Sequence, residues 1–73
     1  MSTFNEKIYE LASSRNAGRA AIKAVNSYFG NELNAEIDIK EFEKLSIKKL
    51  AAMPGLGVKS FMLLCQAYKE FKA

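Results

Sequence analysis

The sequence predicts an all-α domain, a compact bundle of four to five short helices. Apolar residues recur at three- and four-residue spacing in one segment after another. Capping and stopping residues separate those segments. No stretch keeps the two-residue alternation of a half-buried strand for long, so no sheet is expected.

Thr3 followed by Glu6 has capping-box spacing, and Phe4, Ile8, Leu11 and Ala12 share a face, which predicts a first helix over about 3–13. Ser13 and Ser14 interrupt it. From Arg15 or Asn16, the positions Ala17, Ala21, Ala24, Val25 and Tyr28, flanked by Ile22 and Phe29, form a wide apolar stripe that stops at Gly30-Asn31. Its small residues allow a neighbour to approach closely. Residues 30–37 show no period and read as a loop. Asp38 and Glu41 again have capping spacing, for a short helix over 38–44 that presents Ile39, Phe42 and Leu45. Ser46 caps a further turn or two through Ile47, Leu50 and Ala51. Pro54 ends it by disfavouring helical geometry at Met53. From Val58, the spacing of Phe61, Leu64, Cys65 and Tyr68, extended by Phe71 or Lys72, predicts the last helix.

The 73 residues read as one domain, 1–73, with a core that must be small. A single cysteine and no histidine exclude an internal disulfide and a Cys/His metal site, and they point to a reducing compartment. The missing histidine also removes the commonest general base, so no enzyme activity and no cofactor are expected. Asn5, Glu6, Lys7 and Glu10 interrupt the start of the chain where a signal peptide needs an apolar run, and no segment is long and apolar enough for a membrane span. A cytoplasmic protein is the expectation. Net charge is +3, unevenly spread. Residues 30–43 hold five acids against one base, whereas residues 44–73 hold six bases against one acid.

The basic half contains Met53-Pro54-Gly55-Leu56-Gly57-Val58-Lys59-Ser60. The glycines free the backbone to turn and let another chain come close, while Leu56 can point inward and fasten the turn. Gly57 leads into the last helix, whose first amides face outward at the positive end of the dipole, a ready site for an anion. Lys59 in that first turn runs against the dipole's preference for acids and makes sense beside an external phosphate, with Ser60 adding a hydroxyl donor. A Pro-Gly-x-Gly turn is also simply a good joint between two helices, with Lys59 solvated. Lys48, Lys49, Arg15 and Arg19 would rim the same groove if the second helix packs beside the turn.

The pattern Leu45-Ser46-x-x-x-Leu50-x-x-Met53-Pro54-Gly55-Leu56-Gly57-x-Lys59-Ser60, within about residues 37–70, resembles the helix-hairpin-helix superfamily. It is most similar to the C-terminal domain of the bacterial RNA polymerase alpha subunit. The resemblance implies a SAM-like orthogonal bundle with its helix-hairpin-helix at 46–71, and binding of double-stranded DNA. In that family an arginine opening an upstream helix enters the minor groove of A·T-rich DNA, while hairpin glycine, lysine and serine meet the backbone. Carried over, this implies Arg15, Gly57, Lys59 and Ser60, with Gly55 and Arg19 beside them. The stretch from Arg15 to the turn is longer here, and Gly18 stands where the family has a DNA-contacting asparagine. The lyase domain of DNA polymerase beta also ends in a Pro-Gly-x-Gly hairpin, but Ala52 occupies the place of its Schiff-base lysine, with Lys49 nearest.

Tyr9, Tyr28 and Tyr68 lie at or near apolar stripes and read as packing residues rather than base-stacking ones. Met62 and Leu63 fall partly off the last stripe, an apolar patch that could meet a protein partner or a second copy. Glu32, Glu36, Asp38, Glu41 and Glu43 read as a solvated acidic face. The expectation is a transcription-related protein that binds DNA phosphates non-covalently. Its alternative is a protein-interaction module contacting RNA polymerase or a transcription factor, in which the hairpin is only a turn.

Overall fold

A computed structural model describes residues 2–73. It contains α1 (Phe4–Leu11), α2 (Arg15–Phe29), α3 (Ile39–Glu43), α4 (Ile47–Ala51) and α5 (Val58–Lys72), with no strand among the described residues. Local chemistry sets most boundaries. At α1 the Thr3 hydroxyl accepts from the Glu6 amide at 3.1 Å while the Glu6 carboxylate accepts from the Thr3 amide at 2.8 Å, a reciprocal capping box. The Thr3 backbone amide first, and then the Thr3 hydroxyl, hold the Glu6 carboxyl below its ordinary pKa. Ser14, Asp38 and Ser46 cap α2, α3 and α4 with their side chains. Gly30, at φ 74°, ends α2 in the left-handed region, and the Asn31 amide closes the turn onto the Asn26 carbonyl at 2.8 Å.

The first helix is shorter than its apolar spacing predicts. Ala12 is extended (φ −69°, ψ 148°), because the chain must leave α1 for Ser14 to reach back over the first turn of α2. Ala12 keeps an apolar role nonetheless, packing near Gly18.

The long helices α1, α2 and α5 pack on one another, and α4 packs on α5. Their apolar faces meet in a core of Phe4, Ile8, Ala21, Ile22, Val25, Leu64 and Ala67, to which the loops and short helices add Ile37, Phe42, Leu50 and Met53. Phe4 is its aromatic hub, with ring centroids 5.0 Å from Phe42, 5.7 Å from Phe71 and 6.3 Å from Tyr68. A close approach of α2 to α1 falls at a residue outside the predicted stripe of α2: Gly18 is buried against α1, and a β-carbon there would lie 2.8 Å from Tyr9 Cδ1.

Residues 30–38 hold a fixed course without helix. The buried Asn26 side chain donates to the carbonyls of Ala35 at 2.8 Å and Leu33 at 3.3 Å. Asn5 donates to the same Ala35 carbonyl at 3.0 Å and accepts from the Ile37 amide at 3.0 Å. Two asparagines on different helices thus replace the secondary-structure partners this backbone lacks. α3 is tied to α5 by Glu43, which accepts from the Tyr68 hydroxyl at 2.7 Å and pairs with Lys72 at 3.1 Å.

Candidate nucleic-acid interface

The α4–α5 turn is built from a buried anchor on each side of an exposed backbone. Met53 is buried and Leu56 packs half-buried on the core, so the turn is held from inside. Between them Pro54 and Gly55 are exposed, and the Leu56 amide donates to the Met53 carbonyl at 3.2 Å. The two glycines have different roles. Gly55 sits at φ 80°, where a side chain is strained, so it is required for the turn itself. Gly57 sits at φ −79° and ψ 173°, ordinary extended backbone, and a β-carbon there would meet nothing within 4 Å. Neither conformation nor internal packing demands a glycine at 57.

Gly57 is the N-cap of α5, and α5 alone among the five helices has no side-chain cap bond. The Gly57 carbonyl accepts from the Phe61 amide at 2.9 Å, but the preceding amides of Val58, Lys59 and Ser60 have no acceptor in the helix, as at any helix start. Neither α2 nor α5 has an acid in its first turn; Arg15 and Lys59 stand there instead.

The packing of α2 beside α5 brings the two helix starts to one groove of about 450 Å³. Ser13 and Ala17 line it from the α2 side, Lys59, Ser60, Met62, Leu63 and Gln66 from α5, and Leu11 and Ala12 from the end of α1. Lys59 and Ser60 are therefore brought together with the first turn of α2. Arg15 and Arg19 are not in that groove. Two residues before and after Ala17, they project from about the opposite side of α2. There the Arg15 guanidinium lies 4.9 Å from the Tyr9 ring centroid. Tyr9 is the partner that sequence reasoning missed: the stack crosses the break between α1 and α2, and no spacing rule reports it.

The charges around the turn are available for external partners. The ion pairs among the described residues are Lys7–Glu10, Lys44–Glu41 and Lys72–Glu43, so Lys48, Lys49, Lys59, Arg15 and Arg19 lie outside them. The acids of residues 36–43 are largely engaged within the fold. Glu36 accepts from the Asn5 amide, Asp38 caps α3, and Glu41 and Glu43 hold lysines.

No group of three or more potential metal ligands occurs among the described residues. Cys65 is half-buried beside a cavity of about 190 Å³ between α3, α4 and α5, and burial pushes its thiol up, away from the nucleophilic thiolate. Ala52, where the lyase resemblance wants a lysine, forms the C-cap of α4; Lys49 lies one turn earlier and is exposed. No described helix is long and apolar enough to cross a membrane. Compared with known protein families, curated proteins and solved structures, the chain has no significant match.

Proposed function

We propose that this protein binds double-stranded DNA non-covalently through the phosphate backbone, with α4, the turn and α5 acting as a helix-hairpin-helix. One observation carries the reading: the uncapped start of α5, opened by a glycine at 57 that the fold itself does not require, lies beside the first turn of α2 with Lys59, outside the ion pairs of the described residues, at that start. An approaching phosphate would meet the Val58, Lys59 and Ser60 amides along the helix dipole, the Lys59 ammonium and the Ser60 hydroxyl. Gly55 and Gly57 keep the approach clear of side chains. Lys48 and Lys49 add charge from α4, and Arg15 and Arg19 from the far flank of α2. A role in transcription, and a relationship to the C-terminal domain of the polymerase alpha chain, rest on the motif resemblance.

The test is an NMR titration of labelled protein with duplex DNA at two salt concentrations. Amides of Gly55 to Ser60 and of Arg15 shift, and with about two to four phosphates contacted, log K falls against log salt with a slope of roughly −2 to −3.5. No shift at low salt overturns the proposal. Comparison of A·T-rich with G·C-rich duplexes separates the modes of contact. Backbone holding gives similar affinities, whereas an A·T preference lost in Arg15→Ala assigns minor-groove reading to that arginine. Borohydride is expected to trap no adduct on an abasic duplex.

A further inference from the structure

The groove between the start of α5 and the α1–α2 junction is poorly suited to nucleic acid along most of its length. Leu11, Ala12, Ala17, Met62 and Leu63 give it an apolar lining, and Ser13, Ser60 and Gln66 add neutral polar groups. Phosphates gain nothing from such walls. Its sole charged lining residue is Lys59, which takes part in none of the ion pairs of the described residues. No acid lines it. The outward stripe of α5 continues the apolar surface past the rim, with Met62 63 % exposed and Val58, one turn earlier, 75 % exposed. Along α5 the groove runs from Lys59 to Gln66, about 10 Å or two helical turns at 1.5 Å per residue.

We propose that this groove docks a two-turn amphipathic helix of a partner protein, with apolar side chains laid against Leu11, Met62 and Leu63 and a carboxylate meeting Lys59. The charge of the lining selects the occupant. An apolar trough with a lone cation at one end is complementary to an acidic amphipathic segment and repels a basic one. The flexible, exposed thioether of Met62 can conform to the incoming side chains. Because Lys59 also belongs to the phosphate contact proposed above, the partner helix and DNA compete for it. The apolar contacts belong to the partner alone.

The experiment uses two stapled helical peptides of about 12 residues, long enough to hold two turns once constrained. One carries leucines at i and i+4 with a glutamate one turn away; the other has lysine in place of the glutamate. Titrated into labelled protein, the acidic peptide shifts the amides of Leu11 to Ser13, Ala17 and Lys59 to Leu63, with an affinity of roughly 0.1 to 1 mM. The lysine peptide binds roughly tenfold more weakly. Met62→Ser weakens the acidic peptide roughly tenfold while leaving DNA affinity unchanged, whereas Lys59→Gln weakens both. That contrast separates this site from the DNA reading, since either can fail alone. Equal binding of the two peptides, shifts confined to another surface, or no shift at millimolar peptide each overturns the proposal. Concentration-dependent shifts of the same amides without peptide would assign the groove to a second copy of the chain and overturn it as well.

Discussion

Replacing Gly57 with aspartate should make the protein more stable and worse at its proposed task. The native backbone at 57 already has N-cap geometry, φ −79° and ψ 173°, and a β-carbon meets nothing within 4 Å, so the substitution introduces no strain. An aspartate carboxylate there can accept from the Lys59 or Ser60 amide. A capping side chain is worth a few tenths of a kcal/mol over glycine, its charge at a helix start about 0.3–1 kcal/mol more, and restriction of the unfolded chain adds a similar amount. A gain of about 1 kcal/mol raises the Tm of a domain this size by about 4–8 °C. The same carboxylate occupies the amides a phosphate would use. Losing a hydrogen bond to a charged group costs about 1.5–3 kcal/mol, and a like charge about 4 Å away in water adds about 1 kcal/mol. Together these lower DNA affinity by about 60- to 700-fold. Gly57→Ser separates the terms, since it caps without charge. Calorimetry or thermal circular dichroism gives the first quantity, and fluorescence anisotropy with labelled duplex the second. A more stable G57D variant that binds DNA as tightly as the native chain would show that the start of α5 does not face phosphate. A less stable one would refute the claim that the fold itself does not need this glycine.

Three further substitutions test the frame that holds the site. Asn26→Asp is nearly isosteric, but it points a carboxyl at the Ala35 and Leu33 carbonyls in a fully buried position, which must raise its folded pKa. The variant should approach native stability near pH 4 and lose about 1.4 kcal/mol per pH unit above the unfolded value of about 3.9, until its folded pKa is reached; urea unfolding at several pH values checks this, and a pH-independent difference from native contradicts it. Gly18→Ala gains up to about 1 kcal/mol of helix propensity but places a β-carbon 2.8 Å from the Tyr9 ring, so a net loss of about 1–2 kcal/mol is expected. In a Tyr9→Ala background its sign should reverse, and a double-mutant cycle by chemical denaturation tests that. The Tyr68 hydroxyl, and then Lys72, hold the Glu43 carboxyl below its ordinary value. Its contribution is therefore present above about pH 4.5 and lost as pH falls through the lower folded pKa, so Glu43→Gln should unfold less steeply with acid than the native chain.

The helices were legible because their signals are local. Thr3 with Glu6, Ser14, Asp38 and Ser46 each act within three residues, and the apolar stripes of α2 and α5 give most of their inner faces, although Tyr28 is exposed and the buried Ala67 lies outside the predicted stripe. The end of α1 was not legible. Ala12 continues the stripe of Phe4 and Ile8, and only the competing claim of Ser14 on the first turn of α2 turns the chain away. Nor could the course of residues 30–38 be read, since it depends on Asn5 and Asn26, polar residues whose partners lie up to 32 positions away. At the turn, the sequence assigns both glycines to backbone freedom. Only Gly55 needs it, because φ depends on how the chain rejoins the core through Leu56.

The charge distribution gains meaning only when pairing is known. The segment 30–43 is rich in acids and reads as a solvated acidic face, yet Glu36, Asp38, Glu41 and Glu43 are bonded to backbone amides, a hydroxyl or lysines of their own fold. Of these, Glu41 and Glu43 have a lysine ammonium close by, so their charge contributes less at a distance. Lys48, Lys49 and Lys59 have no such partner among the ion pairs of the described residues, and neither have Arg15 and Arg19. Positive charge at the first turns of α2 and α5 is therefore left to act on an external anion. Stacking on Tyr9 fixes where Arg15 contributes to it: on the outer flank of α2, away from the groove. A phosphate held at Gly57 and Lys59 and a second one met by Arg15 would then lie on opposite sides of the first turn of α2. That demands an extended polyanion rather than a single small anion. A duplex supplies this spacing and inorganic phosphate does not, so competition by free phosphate should remain weak at concentrations where short duplexes already bind.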